Sequence, residues 1–226
     1  MEFFLNLLRS VAYGIIEGVT EWLPISSTGH MILAEQVLKF SFSAEFMEMF
    51  RVVIQLGAIL AVVVLYFKKL WPFCADNGRD SGFSRHFRWP VVRLWCKIIV
   101  ACVPAAVLGL LLDDWLDAHL YNSITVALML IIYGIAFILI ERRPRVPTTT
   151  KLSRITYKQA LIVGAWQVLA LIPGTSRSGS TIIGGLLCGM SRPAASQFTF
   201  FLAIPVMAGA SGLKLVKFLA KGGVFT

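Results

Sequence analysis

Long apolar runs separated by short polar segments extend along most of this chain. A bilayer core about 30 Å thick takes about 20 apolar residues to cross as a helix. Four runs approach or exceed that length, and we predict each as a membrane-spanning helix: residues 46–67, 91–112, 124–140 and 194–219. The pattern therefore predicts an all-α fold, that of a polytopic transmembrane helical protein.

Other apolar runs are too short to cross a bilayer, and helix breakers lie beside them. The breakers are Pro24 and Pro173-Gly174. Non-helical backbone is tolerated at membrane depth only where protein buries it or where it lines a wet cavity. We therefore predict two re-entrant helix hairpins, built from the short runs at residues 27–38, 157–172 and 181–190.

A weak internal repeat relates the two hairpins. Gly14-Ile-Ile-Glu17 corresponds to Gly164-Ala-Trp-Gln167, and Ser26-Ser-Thr-Gly29 corresponds to Ser176-Arg-Ser-Gly179. Three full spans follow the first hairpin, and because three is odd, the second half begins on the opposite side. We therefore predict inverted repeats whose hairpin tips meet near the membrane midplane, an arrangement typical of a buried binding site.

The predicted domain organisation follows from this repeat. We predict a single membrane domain over residues 1–226, whose first repeat, 1–141, contains the hairpin 1–38 and three spans. The second repeat, 157–226, is expected to be incomplete, because the repeat predicts two more spans after the last apolar run.

The composition and the charge agree with a membrane protein. Residues are 57% hydrophobic and 15% charged, whereas soluble domains carry about 25% charged residues. The net charge of +9 could suggest nucleic acid, but the basic residues concentrate in the loops 68–93 and 141–158. Basic loops face the cytoplasm, so the acidic loop 113–123 is predicted to lie outside. We expect membrane lipids as partners of this charge and no nucleic acid.

A polar motif occupies the first hairpin, with the sequence Glu17-Gly-Val-Thr-Glu-Trp-Leu-Pro-Ile-Ser-Ser-Thr-Gly-His30. Glu17 and Glu21 are four residues apart and share one helical face. In an apolar setting one of them takes up a proton unless a cation lies between them. Hard carboxylate oxygens suit Mg²⁺ or Ca²⁺, so we predict Glu17 and Glu21 as ligands of a divalent cation.

Hydroxyls and a histidine follow directly after Pro24. One of Ser26 and Ser27 is expected to cap the short helix that begins here. His30 lies about one turn further on, where it can face the same pocket, and histidine serves as a general acid, a base or a nucleophile. The attacking group is left open between Ser27, His30 and a metal-bound water.

The second motif, Pro173-Gly-Thr-Ser-Arg-Ser-Gly-Ser180, ends one short helix and starts another. Free N–H groups at a helix start, with hydroxyls nearby, form a cradle for an anion. The planar guanidinium of Arg177 matches phosphate oxygens, although it could also pair with Glu17 or Glu21. Across both motifs we predict that the substrate is bound by Ser26, Thr28, Gly174, Thr175, Ser176, Ser178 and Ser180.

These side chains together favour phosphoryl transfer. In that chemistry catalysis consists mostly of positioning the substrate and neutralising its charge. Because the site is predicted within the membrane, the substrate is expected to be a lipid phosphate or diphosphate. We predict catalytic roles for Glu17, Glu21, Ser27, His30 and Arg177.

Both motifs closely resemble those of the bacterial undecaprenyl-diphosphate phosphatases of the bacitracin-resistance type. The resemblance extends along essentially the whole chain and includes Ile54-Gln-Leu-Gly-Ala-Ile-Leu-Ala-Val63 and Ser191-Arg-Pro-Ala-Ala-Ser196. It implies hydrolysis of undecaprenyl diphosphate to undecaprenyl phosphate and inorganic phosphate, with a divalent cation. This reaction recycles the lipid carrier for peptidoglycan and other wall polymers.

The resemblance also implies roles for single residues. Glu17 and Glu21 would serve the metal and proton chemistry, Ser27 and His30 would be candidates for nucleophile or base, and Arg177 would clamp the diphosphate. The implied location is the bacterial inner membrane, with the active site open to the periplasm. The implied ligand is a polyprenyl diphosphate lipid, and a homodimer is one option for the assembly.

Two positions depart from the resemblance. Relatives often carry an acid at positions 51 and 197, where this chain has Arg51 and Gln197. Any role of an acid at these two positions is therefore not expected in this chain, whereas the main motifs are intact.

Two other classes of function compete with the hydrolase. Inverted repeats with a site at the midplane also suit a transporter or flippase of the lipid carrier. The acid-phosphatase-like lipid phosphatases have a Pro-Ser-Gly-His run that resembles Ser27-Thr-Gly-His30. They also need a Lys-x6-Arg-Pro segment and a histidine after the arginine. No such lysine motif precedes His30 and no histidine follows Arg177, so we set this class aside.

Overall fold

The computed structural model describes residues 2–74, 86–142 and 146–223. Parts of both predicted basic loops, with Arg79, Arg85, Arg143 and Arg145, lie outside the described residues. The described residues are mostly helical, and the all-α prediction is confirmed. Their helices are α1 Glu2–Thr20, α2 Ser27–Leu38, α3 Ala44–Val53, α4 Gln55–Leu65, α5 Phe67–Leu70, α6 Trp89–Leu120, α7 Ser123–Glu141, α8 Tyr157–Gln167, α9 Arg177–Leu187 and α10 Arg192–Ala220.

Within the described residues, four helical segments are long and apolar enough to cross a membrane. They are Ala44–Leu65, which joins α3 and α4, Trp89–Leu112 in α6, Ser123–Glu141, and Arg192–Ala220. These bounds lie close to the four predicted runs, so the predicted spans are confirmed by length and composition. Between 11% and 33% of each apolar window is buried inside the protein, so most residues of each window keep some exposed surface, which suits a lipid environment.

The helices that flank the two polar motifs are short, as predicted. Helix α2 has 12 residues, and α8 and α9 have 11 residues each. A helix rises about 1.5 Å per residue, so each of these covers less than the apolar thickness of a bilayer. The inverted relation of the two repeats and the re-entrant path of the hairpins stay predictions.

The largest hydrophobic core of the described residues lies around α6, which packs against both α8 and α10. It includes Ile98 and Ala101 from α6, Ala160 and Val163 from α8, and Phe198, Phe201 and Leu202 from α10. Helix α10 also packs against α3, α4 and α9, and its Phe200 ring packs on Trp22 of the first motif, so it contacts both motifs.

Gly164 sets the distance between α6 and α8. A Cβ atom at this position would lie 2.3 Å from the carbonyl oxygen of Ala101, far inside van der Waals contact. The backbones of the two helices therefore touch at this residue, and this contact fixes the helix that leads into the second motif.

A separate polar network joins α1, α2 and α3. The Tyr13 hydroxyl donates to the carboxylate of Glu35, and the Arg51 guanidinium pairs with the same carboxylate at 3.0 Å. The Tyr13 ring is fully buried and stacks on Phe50, with ring centroids 5.8 Å apart. Arg51, one of the two departures from the resemblance, therefore pairs with an acid of its own chain and helps to fix the first hairpin.

Replacing Gly164 tests the close approach of α6 and α8. We expect Gly164→Ala to destabilise the protein by about 1–3 kcal/mol, because the added methyl group must push the two backbones apart. Gly134→Ala is the matched control, since Gly134 lies within α7 and a Cβ atom there meets nothing within 4 Å. The control should be neutral or gain up to about 1 kcal/mol of helix propensity. Thermal unfolding in detergent measures both, and equal melting temperatures for the two variants would contradict the packing argument.

Candidate active site

The first motif forms a tight turn between α1 and α2. Glu17 lies in the last turn of α1 with 2% of its surface exposed, and Glu21, directly after the helix, is 9% exposed. The turn is held by backbone bonds from Glu21 N to Glu17 O at 2.9 Å and from Ile25 N to Leu23 O at 2.8 Å. Both carboxylates are therefore buried at the same break in the chain.

Ser26 and Ser27 divide two tasks between them. The Ser26 side chain accepts a hydrogen bond from Gly29 N at 3.2 Å and caps α2, so the expectation that one of the two serines is a cap is confirmed. Ser26 also has φ 65°, a left-handed conformation that is uncommon outside glycine. The Ser27 hydroxyl donates to Glu21 Oε2 at 2.6 Å. Ser27 is therefore the serine whose hydroxyl meets an acid.

His30 is oriented by the backbone of its own helix. Its Nδ1 lies 2.8 Å from the carbonyl oxygen of Ser26. A carbonyl oxygen only accepts, so Nδ1 carries the hydrogen and Nε2 is the free acceptor of the neutral ring. The ring is half-buried, and Nε2 is the nitrogen that can act as a base or a nucleophile.

The second motif is a turn built on Gly174. This residue has φ +88°, and a Cβ atom there would lie 2.6 Å from the Cα of Val126. Only glycine fits both the conformation and the contact, so the loop lies directly on the start of α7. Ser176 then caps α9 by accepting from Gly179 N at 3.0 Å, which leaves Arg177 as the first residue of α9.

The two motifs meet through side chains that are far apart in sequence. Arg177 Nη2 donates to Glu21 Oε1 at 2.5 Å across 156 residues, and both side chains are only 13% and 10% exposed. Arg177 Nη1 also donates to the carbonyl oxygen of Thr199 in α10 at 3.3 Å. The Trp22 and Phe200 rings pack beside this pair with centroids 5.2 Å apart. The sequence had left Glu17 and Glu21 as two possible partners of Arg177, and in the structure the partner is Glu21.

Other predicted substrate-binding residues have partners that the sequence did not indicate. Thr28 accepts from Gln55 of α4 at 3.3 Å. The Ser180 hydroxyl donates to the Tyr133 hydroxyl of α7 at 2.9 Å, and the Ser176 and Ser178 hydroxyls lie 3.2 Å apart. These bonds fix the elements around the site, and the binding roles of the residues stay predictions.

Unpartnered polar atoms concentrate in the two hairpins. Buried polar atoms normally have a hydrogen-bond partner. Among the described residues, the buried side-chain atoms without one are Glu17 Oε1, His86 Nδ1, both amide atoms of Gln167, Thr175 Oγ1 and Arg177 Nε. All except the His86 atom belong to the hairpins that carry the two motifs. The sequence analysis did not predict Gln167 as a site residue, although Gln167 corresponds to Glu17 in the internal repeat.

The donor set of this site fits a cation that a phosphorylated ligand helps to bind. The described residues contain no group of three or more His, Cys, Asp or Glu side chains close enough to hold a metal by themselves. Mg²⁺ is commonly bound by one or two carboxylates together with substrate phosphates. Glu21 already uses both oxygens, on Arg177 and on Ser27, so Glu17 with its unpartnered Oε1 has the carboxylate oxygen that is free for a cation.

The site is nearly closed in this structure. A cavity of about 10 Å³ adjoins Glu21 and Arg177 and is lined on its other sides by Trp22, Ala58, Ile59, Val62, Phe200 and Ala203. That volume holds about one water molecule. A diphosphate could therefore enter only after the side chains around the Glu21–Arg177 pair had moved.

The fold and these side chains define an α-helical membrane protein with a buried acid, hydroxyl and arginine site. Comparison with known proteins gives the family. A family model described as bacitracin resistance protein BacA matches residues 10–225. The chain belongs to this family.

Curated relatives are similar over nearly the whole chain. An undecaprenyl-diphosphatase of Enterococcus faecalis (strain ATCC 700802 / V583) is 60% identical over 98% of this chain and 79% of its own length. Undecaprenyl-diphosphatases of Streptococcus gordonii and Streptococcus mutans serotype c are 56% and 54% identical, over 97% and 99% of this chain. They are covered over 77% and 78% of their own lengths.

The left-handed conformation of Ser26 predicts an unusual ranking of substitutions. Ser26→Ala should be less stable than Ser26→Gly, because alanine loses the cap and also strains at positive φ, at a cost of about 1–2 kcal/mol. Ser43 is the control, since it caps α3 through the Phe46 N–H but has an ordinary φ of −66°. Thermal unfolding in detergent of Ser26→Ala, Ser26→Gly, Ser43→Ala and Ser43→Gly measures the two differences. A gap between alanine and glycine that is no larger at Ser26 than at Ser43 would contradict it.

Proposed function

We propose that this chain hydrolyses undecaprenyl diphosphate to undecaprenyl phosphate and inorganic phosphate, and so recycles the lipid carrier for cell-wall synthesis. The observation that carries the proposal is the junction of the two hairpins, where Glu21 contacts both Arg177 and the Ser27 hydroxyl. Membership of the bacitracin resistance family and relatives named undecaprenyl-diphosphatase support it. The transporter alternative is not favoured, because these relatives are named for hydrolysis.

The surroundings of the site suit a lipid substrate. Four apolar spans with mostly outward-facing surfaces place the chain in a membrane, where a polyprenyl tail can lie beside them. We propose that the membrane is the bacterial plasma membrane and that the site opens to its outer side. The support is the charge pattern, in which the acidic segment 113–123 lies between two basic segments. This segment was predicted as a loop, but in the structure it is the end of α6 and the short turn into α7.

Arg177 is proposed to bind the diphosphate. Its guanidinium is planar and can donate two parallel hydrogen bonds to phosphate oxygens. It begins α9, and the start of a helix adds partial positive charge at the same place. In the structure the same guanidinium is held by Glu21 and by the Thr199 carbonyl oxygen, so it is already oriented before a ligand arrives.

Ser27 is proposed as the attacking group, with Glu21 as its base. The hydrogen bond of 2.6 Å from the Ser27 hydroxyl to Glu21 Oε2 gives the proton a path as the oxygen forms its bond to the terminal phosphorus. The bond from that phosphorus to the bridging oxygen breaks, and undecaprenyl phosphate leaves. Water then hydrolyses the phosphoserine. His30, through the free Nε2, is the second candidate for the attacking group and is well placed to activate that water.

A divalent cation fits the charge balance of this reaction. Two carboxylates and an anionic diphosphate would otherwise face the single guanidinium of Arg177. Glu17 would hold the cation with phosphate oxygens, and the bound cation would supply neutralisation of the charge on the phosphates. Glu21 would meanwhile keep its contacts to Ser27 and Arg177.

Removing Arg177 or the charge of Glu21 should abolish most turnover. We expect Arg177→Ala and Glu21→Gln to lose about 10²–10³-fold in kcat, the loss typical when one group that stabilises transition-state charge is removed. Phosphate release from undecaprenyl diphosphate in detergent, with and without a chelator, measures this. Arg192→Ala is the matched control, because Arg192 also begins a helix and pairs with a glutamate at 2.5 Å, but at an exposed position. Full activity in both site variants would contradict the proposal.

A trapped phosphoenzyme would identify the attacking group. We expect rapid acid quenching of turnover to leave a phosphate label on the wild-type protein, since phosphoserine is stable in acid. The label should be absent from Ser27→Ala and present in Ser26→Gly, which removes the neighbouring hydroxyl while tolerating its backbone conformation. A label that is stable only in alkali would indicate His30, and no label under any condition would indicate direct attack by water.

A further inference from the structure

Gln167 is a buried side chain with no partner for either end of its amide. Only 2% of the residue is exposed, and both Nε2 and Oε1 lack a hydrogen bond in the described part of the chain. A buried amide without partners is costly, because it has lost the hydrogen bonds that water would make. Such a group in a folded protein calls for a ligand or a trapped water as its explanation.

The amide lies in the same hairpin as Arg177. Gln167 is the last residue of α8, and Arg177 is the first residue of α9. Helices α8 and α9 pack against each other, and residues 168–176 connect them. The amide and the guanidinium therefore lie at the two ends of the break that forms the second motif.

Gln167 also occupies the position in its hairpin that Glu17 occupies in the first. Gly164-Ala-Trp-Gln167 corresponds to Gly14-Ile-Ile-Glu17 in the internal repeat. Both side chains are 2% exposed, both lie at or near the end of the helix before the break, and both have unpartnered oxygen atoms. Each hairpin thus holds one buried polar side chain ready for a ligand, a carboxylate in the first and an amide in the second.

We infer that the Gln167 amide binds a phosphate oxygen of the substrate, as a donor from the second hairpin. This inference rests on the function proposed above. The first hairpin supplies acceptors and negative charge through Glu17 and Glu21, whereas phosphate oxygens need donors. An amide supplies two N–H donors without adding negative charge. A carboxylate at this position would add a third acid that repels the diphosphate.

Kinetics of phosphate release test the inference. In Gln167→Leu, which keeps a similar volume without the amide, kcat/KM for undecaprenyl diphosphate should fall about 10- to 100-fold, the effect of a lost hydrogen bond to a charged group. The inhibition constant of inorganic phosphate, used as the probe, should rise by a similar factor. In Gln167→Glu, whose side chain has nearly the same shape, kcat/KM should fall further than in Gln167→Leu, because the carboxylate repels the phosphate.

Gln159→Leu is the matched control. Gln159 is a buried glutamine of the same helix, but its amide is bonded to Thr149, Thr156 and the carbonyl oxygen of Cys188. Its loss should lower the melting temperature without changing KM or the phosphate inhibition constant. A wild-type kcat/KM and inhibition constant in Gln167→Leu would overturn the inference and leave the amide to a trapped water. The inference would also be overturned if kcat/KM in Gln167→Leu fell only in proportion to a lower melting temperature, because Gln159→Leu would then show the same relation.

The outcome separates this inference from the proposed function. If the folded wild-type protein releases no phosphate from undecaprenyl diphosphate, the proposed function fails. If the wild-type protein is active and Gln167→Leu matches it, only the role of Gln167 fails. Should Gln167→Leu not fold, Gln167→Glu decides alone, since a polar side chain of the same size keeps the packing, and unchanged kinetics in that variant would overturn the inference.

Discussion

The ion pair between Glu21 and Arg177 is the contact on which the geometry of the site depends. It joins residues 156 positions apart, and both side chains are almost entirely buried. Burying two charges is expensive, and breaking such a pair costs about 3–5 kcal/mol because one charge is left without compensation. The second oxygen of Glu21 holds the Ser27 hydroxyl. One carboxylate therefore sets the position of both hairpins and of the hydroxyl between them.

Charge balance connects this pair to the rest of the chemistry. The Arg177 guanidinium donates from Nη1 and Nη2 to Thr199 and Glu21, whereas Glu17 makes no ion pair within the described residues and keeps an unpartnered Oε1. A diphosphate adds further negative charge to the same small volume. On the proposed mechanism, the site is therefore short of positive charge when substrate is bound. A divalent cation at Glu17 would supply the charge, and the neutral amide of Gln167 would supply donors without making the imbalance worse.

The sequence predicted the features that depend on neighbouring residues and missed most of the contacts between distant helices. The pair of Arg177 with Glu21 is the exception, because both motifs carry charged residues and Glu21 was one of the two acids considered as its partner. The spans agree closely with the apolar runs because hydropathy is read from contiguous residues; the run 91–112, for example, ends at the same residue as the span Trp89–Leu112. The serine cap of α2 was likewise a local signal. The bonds from Ser180 to Tyr133 and from Arg51 to Glu35 join different helices, and no local pattern indicates them. Gln167 had a signal in the repeat, but its burial without partners is visible only in three dimensions.

The polar groups of this site fall into two sets in the structure. Arg177 Nη2 and the Ser27 hydroxyl donate to Glu21, and the cavity beside them has room for about one water molecule. A phosphate can take over the guanidinium because it offers the same oxygen geometry as the carboxylate. If Arg177 binds the diphosphate as proposed, ligand affinity is the difference in free energy between its ion pair with phosphate and its ion pair with Glu21. The unpartnered groups would then favour the substrate, Gln167 as a donor and Glu17 through the cation proposed to bind there.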